Sequence, residues 1–241
     1  IGWWQVAISF VISTYYAVIV AWAISYTVFS FNLGWGKDTE NFLMTEYLNR
    51  VDIGGGAIGQ FGGFVPGVLI PLAIVWIVSL GILFAGVKKG IEIANRIFIP
   101  LLVVLFLIIV IYSITLDGAA QGLNAFFTPD WSQITNGKVW VAAYGQIFFS
   151  LSIAFAIMIT YSSYLPKKSD VTNNAFITGF GNSSFELLAG IGVFSALGFM
   201  AAQQGVPVKE VVSSGIGLAF VVFPQIINEF PAFNAFFGFL F

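Results

Sequence analysis

Asn182 and Glu186 lie four positions apart within an otherwise apolar stretch. Residues at this spacing share one face of a helix, so an amide and a carboxyl group point to the same side. An acid in a membrane is costly and is expected to face the protein interior and to have a function there. The structural alternative is a neutral Glu186 that forms a hydrogen bond between helices.

A second polar cluster lies within residues 144–156, where Ser150 and Ser152 stand among aromatic and small residues. Serine hydroxyls can replace backbone partners where a helix unwinds, or bond back to the preceding turn of an unbroken helix. Neither Gly nor Pro occurs between Leu151 and Ala156, and this favours the unbroken helix. From the residues alone, both interpretations stay open.

Two further features also allow a functional and a structural interpretation. Gly90 precedes Pro100 by ten residues, so this segment could unwind and admit water, although a helix entry with a proline kink is the simpler interpretation. Ile12 and Tyr16 share a helix face, with Tyr15 beside them. Aromatic residues in apolar helices usually pack or anchor the helix at the interface.

The composition identifies the environment in which these residues work. Of 241 residues, 59% are hydrophobic and 8% are charged, whereas soluble domains have about 25% charged residues. This composition predicts a protein of the lipid bilayer. With a net charge of −2, the sequence has no excess of basic residues that would bind the phosphate backbone of a nucleic acid. The absence of Cys and His excludes disulfides, zinc sites and the usual hydrolase nucleophile and base pairs, so we expect no enzyme.

The apolar stretches predict the organisation of a single transmembrane domain over residues 1–241. About 20 apolar residues cross the hydrocarbon core, and the predicted spans are residues 3–31, 64–86, 97–116, 139–165 and 174–202, with the start of another at 232–241. Gly215, Gly217, Pro224 and Pro231 interrupt the apolar segment between the last two. Residues 203–231 are therefore predicted to form an extracellular re-entrant hairpin. Because the chain begins and ends within apolar runs, we expect a piece of a longer protein.

Basic residues between the spans predict their orientation, because cytoplasmic loops carry the excess of Lys and Arg. The cytoplasmic connections are expected to be those that contain Lys88, Lys89, Arg96, Lys167 and Lys168. The remaining connections have an acidic excess and are expected to be extracellular. The two sets alternate along the chain, as five consecutive spans require.

Three motifs resemble those of the neurotransmitter:sodium symporters, in particular the bacterial hydrophobic-amino-acid transporters with the leucine-transporter fold. They are GQIFFSLS at 145–152 with TYSSY at 160–164, GLNAFFTPDW at 122–131, and GLAFVVFP at 217–224. The resemblance implies an all-α integral membrane fold, an inverted-repeat bundle with discontinuous helices. The chain would supply the third to the early eighth helix, and the missing helices of the same chain would complete the bundle.

The resemblance also implies a substrate site around a broken sixth helix. The implied substrate residues are Ile12, Tyr16, Phe149, Ser150, Ser152 and Phe155. Tyr16 would bond the substrate carboxylate, Phe149 would close over the substrate, and Ile12 and Phe155 would form an apolar pocket for its side chain. Ala154 and Ala156 stand where the leucine transporter has Gly, so the extent of unwinding is open.

The ion sites and gates follow from the same resemblance. Ser150 and Asn182 correspond to ligands of a sodium ion, the expected cofactor, and Glu186 stands where chloride-dependent members carry Ser. A carboxylate there would replace chloride or carry a proton on the return step. The implied gates and inward release hinge are Gln146, Tyr161, Tyr164, Gly90 and Pro100.

Together these features predict sodium-coupled, chloride-independent symport of hydrophobic or aromatic L-amino acids by alternating access. The expected location is the cell membrane, with the bacterial inner membrane as the specific interpretation. The alternative is a sodium-responsive amino-acid sensor or binding protein on the same fold that does not transport. A channel-like pore would need polar side chains along several spans, and the second and third spans have almost none.

Overall fold

The computed structural model describes residues 2–50, 63–153, 155–212, 215–230 and 234–240, and the regular secondary structure of these residues is helical throughout. The α-helices in chain order are α1 Gly2–Phe29, α2 Thr39–Asn41, α3 Pro66–Phe84, α4 Glu92–Ile114, α5 Ala119–Phe127, α6 Gly137–Ser150, α7 Ile157–Ser163, α8 Val171–Gln204, α9 Val208–Val211, α10 Gly215–Gly217, α11 Phe223–Asn228 and α12 Asn234–Leu240. Short π-helices cover Phe42–Tyr47, Val87–Ile91 and Leu218–Val222, and a 3-10 helix covers Trp131–Thr135.

Within the described ranges, four helical stretches are long and apolar enough to cross a membrane, namely α1, α3, α8 and Val87–Ile114, in which a π-helix continues into α4. Lipid offers no hydrogen-bond partners, so a spanning segment must satisfy its backbone groups internally, as a helix does. The predicted all-α membrane fold is confirmed. The predicted span at 139–165 is instead divided into the two shorter helices α6 and α7.

Helix α8 has a defined signal at each end. The side chain of Asp170 accepts a hydrogen bond from the backbone N–H of Asn173 at 3.0 Å, which caps the start of the helix. Gly205 ends the helix in the left-handed region at φ +67°. The 34 residues of α8 extend over roughly 51 Å, so this helix reaches beyond the hydrocarbon core at one or both ends.

Helix α5 packs against α8 at backbone contact distance. A Cβ added to Gly122 would lie 1.7 Å from the carbonyl oxygen of Phe194, and one added to Gly198 would lie 2.5 Å from that of Gly118. Only glycine permits this approach, which places the short helix α5 directly on the long apolar helix α8.

The largest apolar core lies at the end of α1 and beneath residues 215–228, and includes Tyr26, Trp35, Leu43, Phe220 and Ile226. The sequence predicts that Gly217 and Pro224 interrupt this segment. The prediction is wrong in this respect, because residues 215–228 are helical throughout. Pro231 lies outside the described residues.

Side chains from the facing elements explain how this segment stays helical across a proline. Pro224 has no N–H to donate to the carbonyl of Phe220 four residues earlier. The Tyr26 hydroxyl donates to that carbonyl instead, at 3.1 Å. The Thr39 hydroxyl likewise donates to the carbonyl of Val221 at 2.9 Å.

Candidate functional site

The polar cluster at 144–156 lies at a break between two helices. Helix α6 ends at Ser150 and α7 begins at Ile157, and the connection contains two non-glycine residues in the left-handed region, Ser152 at φ +52° and Ala156 at φ +59°. Each of these conformations costs about 1 kcal/mol relative to a right-handed one. The absence of Gly and Pro therefore misled the sequence interpretation that favours an unbroken helix.

Ser150 and Asn182, the two predicted sodium ligands, are brought into contact at this break. The Asn182 side-chain amide on α8 donates to the Ser150 hydroxyl at 2.5 Å, and both residues are half-buried. Asn182 keeps its carbonyl oxygen for another partner, and the Ser150 oxygen keeps lone-pair capacity. The contact therefore presents neutral oxygens from two helices at one point.

The rings of Phe149 and Phe155, two of the predicted substrate residues, are in contact, with Phe149 near the end of α6 and Phe155 within the break. Their ring centroids lie 6.0 Å apart in an edge-to-face arrangement with an interplanar angle of 80°. Ser152 lies in the chain between them and is half-buried. The break thus combines a hydroxyl group with aromatic walls.

The structure shows few contacts for Ile12 and Tyr16, the two predicted substrate residues on α1. Ile12 is half-buried and Tyr16 is exposed, with the ring of Tyr16 6.5 Å from that of Tyr15. One turn earlier, Ser9 reaches the break, because its hydroxyl donates a hydrogen bond to the backbone carbonyl of Phe155. The sequence interpretation missed Ser9. The signal was available, since Ser9, Ile12 and Tyr16 follow the i, i+3, i+7 pattern of one helix face.

A largely apolar cavity of about 410 Å³ opens on the α7 side of the break. Its lining includes Ser9, Ile91, Phe155, Tyr161 and Tyr164, so both predicted gate tyrosines border it. The third predicted gate residue, Gln146, lies one turn before Ser150 on α6 and is exposed. The three predicted gate residues therefore lie on both sides of the break.

Glu186 follows Asn182 by one turn of α8 and is exposed. The described part of the chain offers Glu186 no hydrogen-bond or ion-pair partner. Glu186 thus lies one helical turn from the predicted sodium ligand Asn182. The function of its carboxylate stays a prediction.

Gly90 and Pro100 lie within one continuous helical stretch, Val87–Ile114. Gly90 is buried in the π-helix that precedes α4, and a Cβ there would lie 1.9 Å from the carbonyl oxygen of Ile82. Pro100 lies inside α4. In this structure the segment is wound, and its unwinding between Gly90 and Pro100 stays a prediction.

The sequence model of the Sodium:neurotransmitter symporter family matches residues 56–241. The chain belongs to this family. A break in the middle of an apolar helix, lined by serine hydroxyls and aromatic rings, suits a symporter, because transporters bind their cargo where a helix is interrupted at membrane depth. Symporters move solutes without covalent chemistry, so the chain belongs to a family of transporters and not of enzymes.

The chain is similar in sequence to several proteins that are named as sodium-dependent transporters. It is 42% identical over 240 residues to an uncharacterized sodium-dependent transporter of Methanocaldococcus jannaschii, a match that covers 100% of this chain and 48% of the relative. A sodium- and chloride-dependent GABA transporter of Drosophila melanogaster is 31% identical, with 94% and 27% covered. A sodium- and chloride-dependent taurine transporter of Bos taurus is 29% identical, with 96% and 42% covered. The chain thus spans about half the length, or less, of these relatives.

Proposed function

We propose that the chain forms the third to early eighth membrane helices of a sodium-coupled symporter for hydrophobic or aromatic L-amino acids. The proposal rests chiefly on the break between α6 and α7, where Ser150 contacts Asn182 and two phenylalanine rings face each other. The chain spans 48% of the Methanocaldococcus jannaschii relative, so further helices would complete the bundle. Transport would proceed by alternating access around this site in the cell membrane.

The residues around the break suit each part of an amino acid. The last carbonyls of α6 carry the negative end of the helix dipole and can accept hydrogen bonds from an ammonium group. The Tyr16 hydroxyl can donate to the carboxylate. Ile12, Phe149 and Phe155 offer apolar surface to the side chain. This division favours a hydrophobic substrate, since these three positions offer it no charge and no side-chain hydrogen-bond partner.

Sodium coupling is supported by the chemistry of Ser150 and Asn182. A hard cation binds neutral and anionic oxygens, and these side chains supply neutral oxygens within one contact. The substrate carboxylate would add an anionic oxygen to the same ion. Each ligand then binds more tightly when the other is present, and this shared oxygen couples the two.

Glu186 supports transport without chloride. A carboxylate one turn from Asn182 provides a fixed negative charge beside the sodium ion, and this is the charge that a bound chloride would otherwise supply. On the empty return step a protonated Glu186 would carry a proton outward.

The gates are proposed to lie on either side of the break. Gln146 would act at the extracellular gate, and Tyr161 and Tyr164 at the cytoplasmic gate, where they already border the cavity. Unwinding between Gly90 and Pro100 would open the cytoplasmic path for sodium.

Counterflow in proteoliposomes tests whether the protein transports or only binds. Liposomes would contain the transporter that includes this chain and a high internal concentration of unlabelled leucine. Transport predicts transient accumulation of external labelled leucine in sodium and none in potassium. Sodium-dependent binding without accumulation would identify a sensor, and no sodium-dependent signal would contradict the proposal.

A further inference from the structure

The Phe155 carbonyl lies within the helix break and has lost its helical partner. In an unbroken helix it would accept from the N–H of Ile159, four residues later. In the described part of the chain, the one donor to this carbonyl is the Ser9 hydroxyl on α1. An unpaired carbonyl at membrane depth costs several kcal/mol, so the Ser9 hydrogen bond satisfies a group for which lipid has no partner.

Two other helices thus hold the two ends of the break. Asn182 on α8 contacts Ser150, the last residue of α6. Ser9 on α1 contacts Phe155, two residues before α7 begins. Between these points the chain contains the left-handed Ser152, and the left-handed Ala156 follows directly. The intervening conformation is unfavourable in isolation, so such fixed points are needed to define it.

The Ser9 contact also determines where the Phe155 ring lies. The hydrogen bond fixes the backbone of Phe155, whose ring packs edge-to-face on Phe149 at 6.0 Å and borders the cavity together with Ser9 itself. A shift of this backbone would move the Phe155 ring, which is one apolar wall of the cavity.

We propose that Ser9 is a positioning residue that fixes Phe155 through its backbone carbonyl and thereby sets the preference for large apolar substrate side chains. This inference rests on the proposed function, because Phe155 must line a substrate pocket for the preference to exist. The effect is selective, since a large side chain reaches the Phe155 ring and a methyl side chain does not.

Uptake by the transporter that includes this chain tests the proposal with three variants. Ser9→Ala removes the hydroxyl, and Ser9→Thr keeps it. Ser13→Ala is the matched control, because the Ser13 hydroxyl lies one turn further along α1 and, among the residues that the structure describes, bonds only to the Phe10 carbonyl of its own helix. Loss of this part-buried hydrogen bond leaves the Phe155 carbonyl unpaired, and an unsatisfied group of this kind corresponds to about a tenfold effect. We therefore expect Ser9→Ala to raise KM about tenfold for leucine and much less for alanine. Ser9→Thr and Ser13→Ala should stay near the wild type.

An equal change for leucine and alanine, or none, would overturn the proposal. A wild-type protein without sodium-dependent uptake would refute the proposed function instead, and amide hydrogen exchange then tests the Ser9 contact on its own. Faster exchange in residues 155–160 of Ser9→Ala, and not of Ser13→Ala, would support the contact. Unchanged exchange in Ser9→Ala would overturn it.

Discussion

Replacement of Asn182 by Ala tests the sodium site most specifically. The substitution removes the donor of the 2.5 Å hydrogen bond to Ser150 together with the free amide oxygen. In potassium, only the hydrogen bond is lost, and side-chain hydrogen bonds within membranes contribute about 0.6 kcal/mol on average. In sodium, an ion–dipole contact is lost as well, which is comparable to a hydrogen bond to a charged group at about 1.5–3 kcal/mol.

These magnitudes predict how the variants should behave. A loss of about 1.5–3 kcal/mol corresponds to about a 10- to 150-fold higher sodium concentration for half-maximal leucine binding. Ser150→Ala should give a shift of the same order, and the double variant should shift by less than the sum of both, because the two residues share one ion. Asn174→Ala is the matched control, since Asn174 is an exposed amide two turns earlier on α8.

Leucine binding titrated against sodium, at constant ionic strength with potassium, measures this shift. The reasoning is refuted if Asn182→Ala and Asn174→Ala have the same sodium midpoint. Fully additive effects of Asn182→Ala and Ser150→Ala would refute the shared ion and leave two independent roles.

Three further predictions concern Glu186, the α5–α8 contact and Tyr47 of the apolar core. Glu186→Ser should make leucine transport dependent on chloride, and equal uptake in gluconate and chloride would show that Glu186 does not replace the anion. Gly198→Ala places a Cβ 2.5 Å from the Gly118 carbonyl oxygen, so the melting temperature of this variant should fall by the equivalent of about 1–3 kcal/mol. Gly179→Ala meets open space in the same helix and should melt at or above the wild-type temperature, because alanine is about 1 kcal/mol more favourable than glycine inside a helix. Burial raises the pKa of Tyr47 above its ordinary value of 10.0, with the hydrogen bond to Ser25 opposing this. As pH rises, the Tyr47 phenol ionises in the unfolded chain before it ionises in the folded protein. The contribution of the neutral phenol to the free energy of unfolding is therefore complete below about pH 10 and declines as pH rises through the higher folded pKa. Melting between about pH 8 and 11 should therefore fall more in the wild type than in Tyr47→Phe, and parallel curves would contradict this.

The membrane class and the helical positions follow from the sequence because apolar runs have few solutions in lipid. A run of about 20 apolar residues must satisfy its own backbone, and helix formation does so without any partner. The stretches at 3–31 and 174–202 accordingly overlap α1 and α8 almost completely. Local composition is sufficient to predict these helices, because the surrounding lipid imposes a helical conformation on an apolar run.

The helix break was harder to predict because tertiary contacts override local preference. Residues 151–156 contain no helix-breaking residue, and Ser152 and Ala156 reach the left-handed region although neither is glycine. The contacts that hold the break come from Ser9 and Asn182, which are 146 and 32 positions away from their partners. Only the resemblance to the symporter family indicated a break at this position.

The segment at 215–228 shows the opposite error. Gly217 and Pro224 predict an interruption, and the chain is helical across both. Proline disrupts a helix by leaving a carbonyl without a donor. Tyr26 donates to the Phe220 carbonyl from another helix, and Pro224 lies in the first turn of α11 directly after a π-helix, so the chain accommodates the proline through a contact and a local register that the sequence does not predict.

The central claim is that Ser150 and Asn182 bind a sodium ion together with a hydrophobic amino acid and without chloride. Binding of radiolabelled leucine and tryptophan to the transporter that includes this chain, in sodium gluconate, sodium chloride and potassium gluconate, tests it most directly. Tight binding in both sodium salts and its loss in potassium is the predicted result. Binding in sodium chloride alone would contradict the role of Glu186, and binding of neither amino acid in any sodium salt would contradict the claim as a whole.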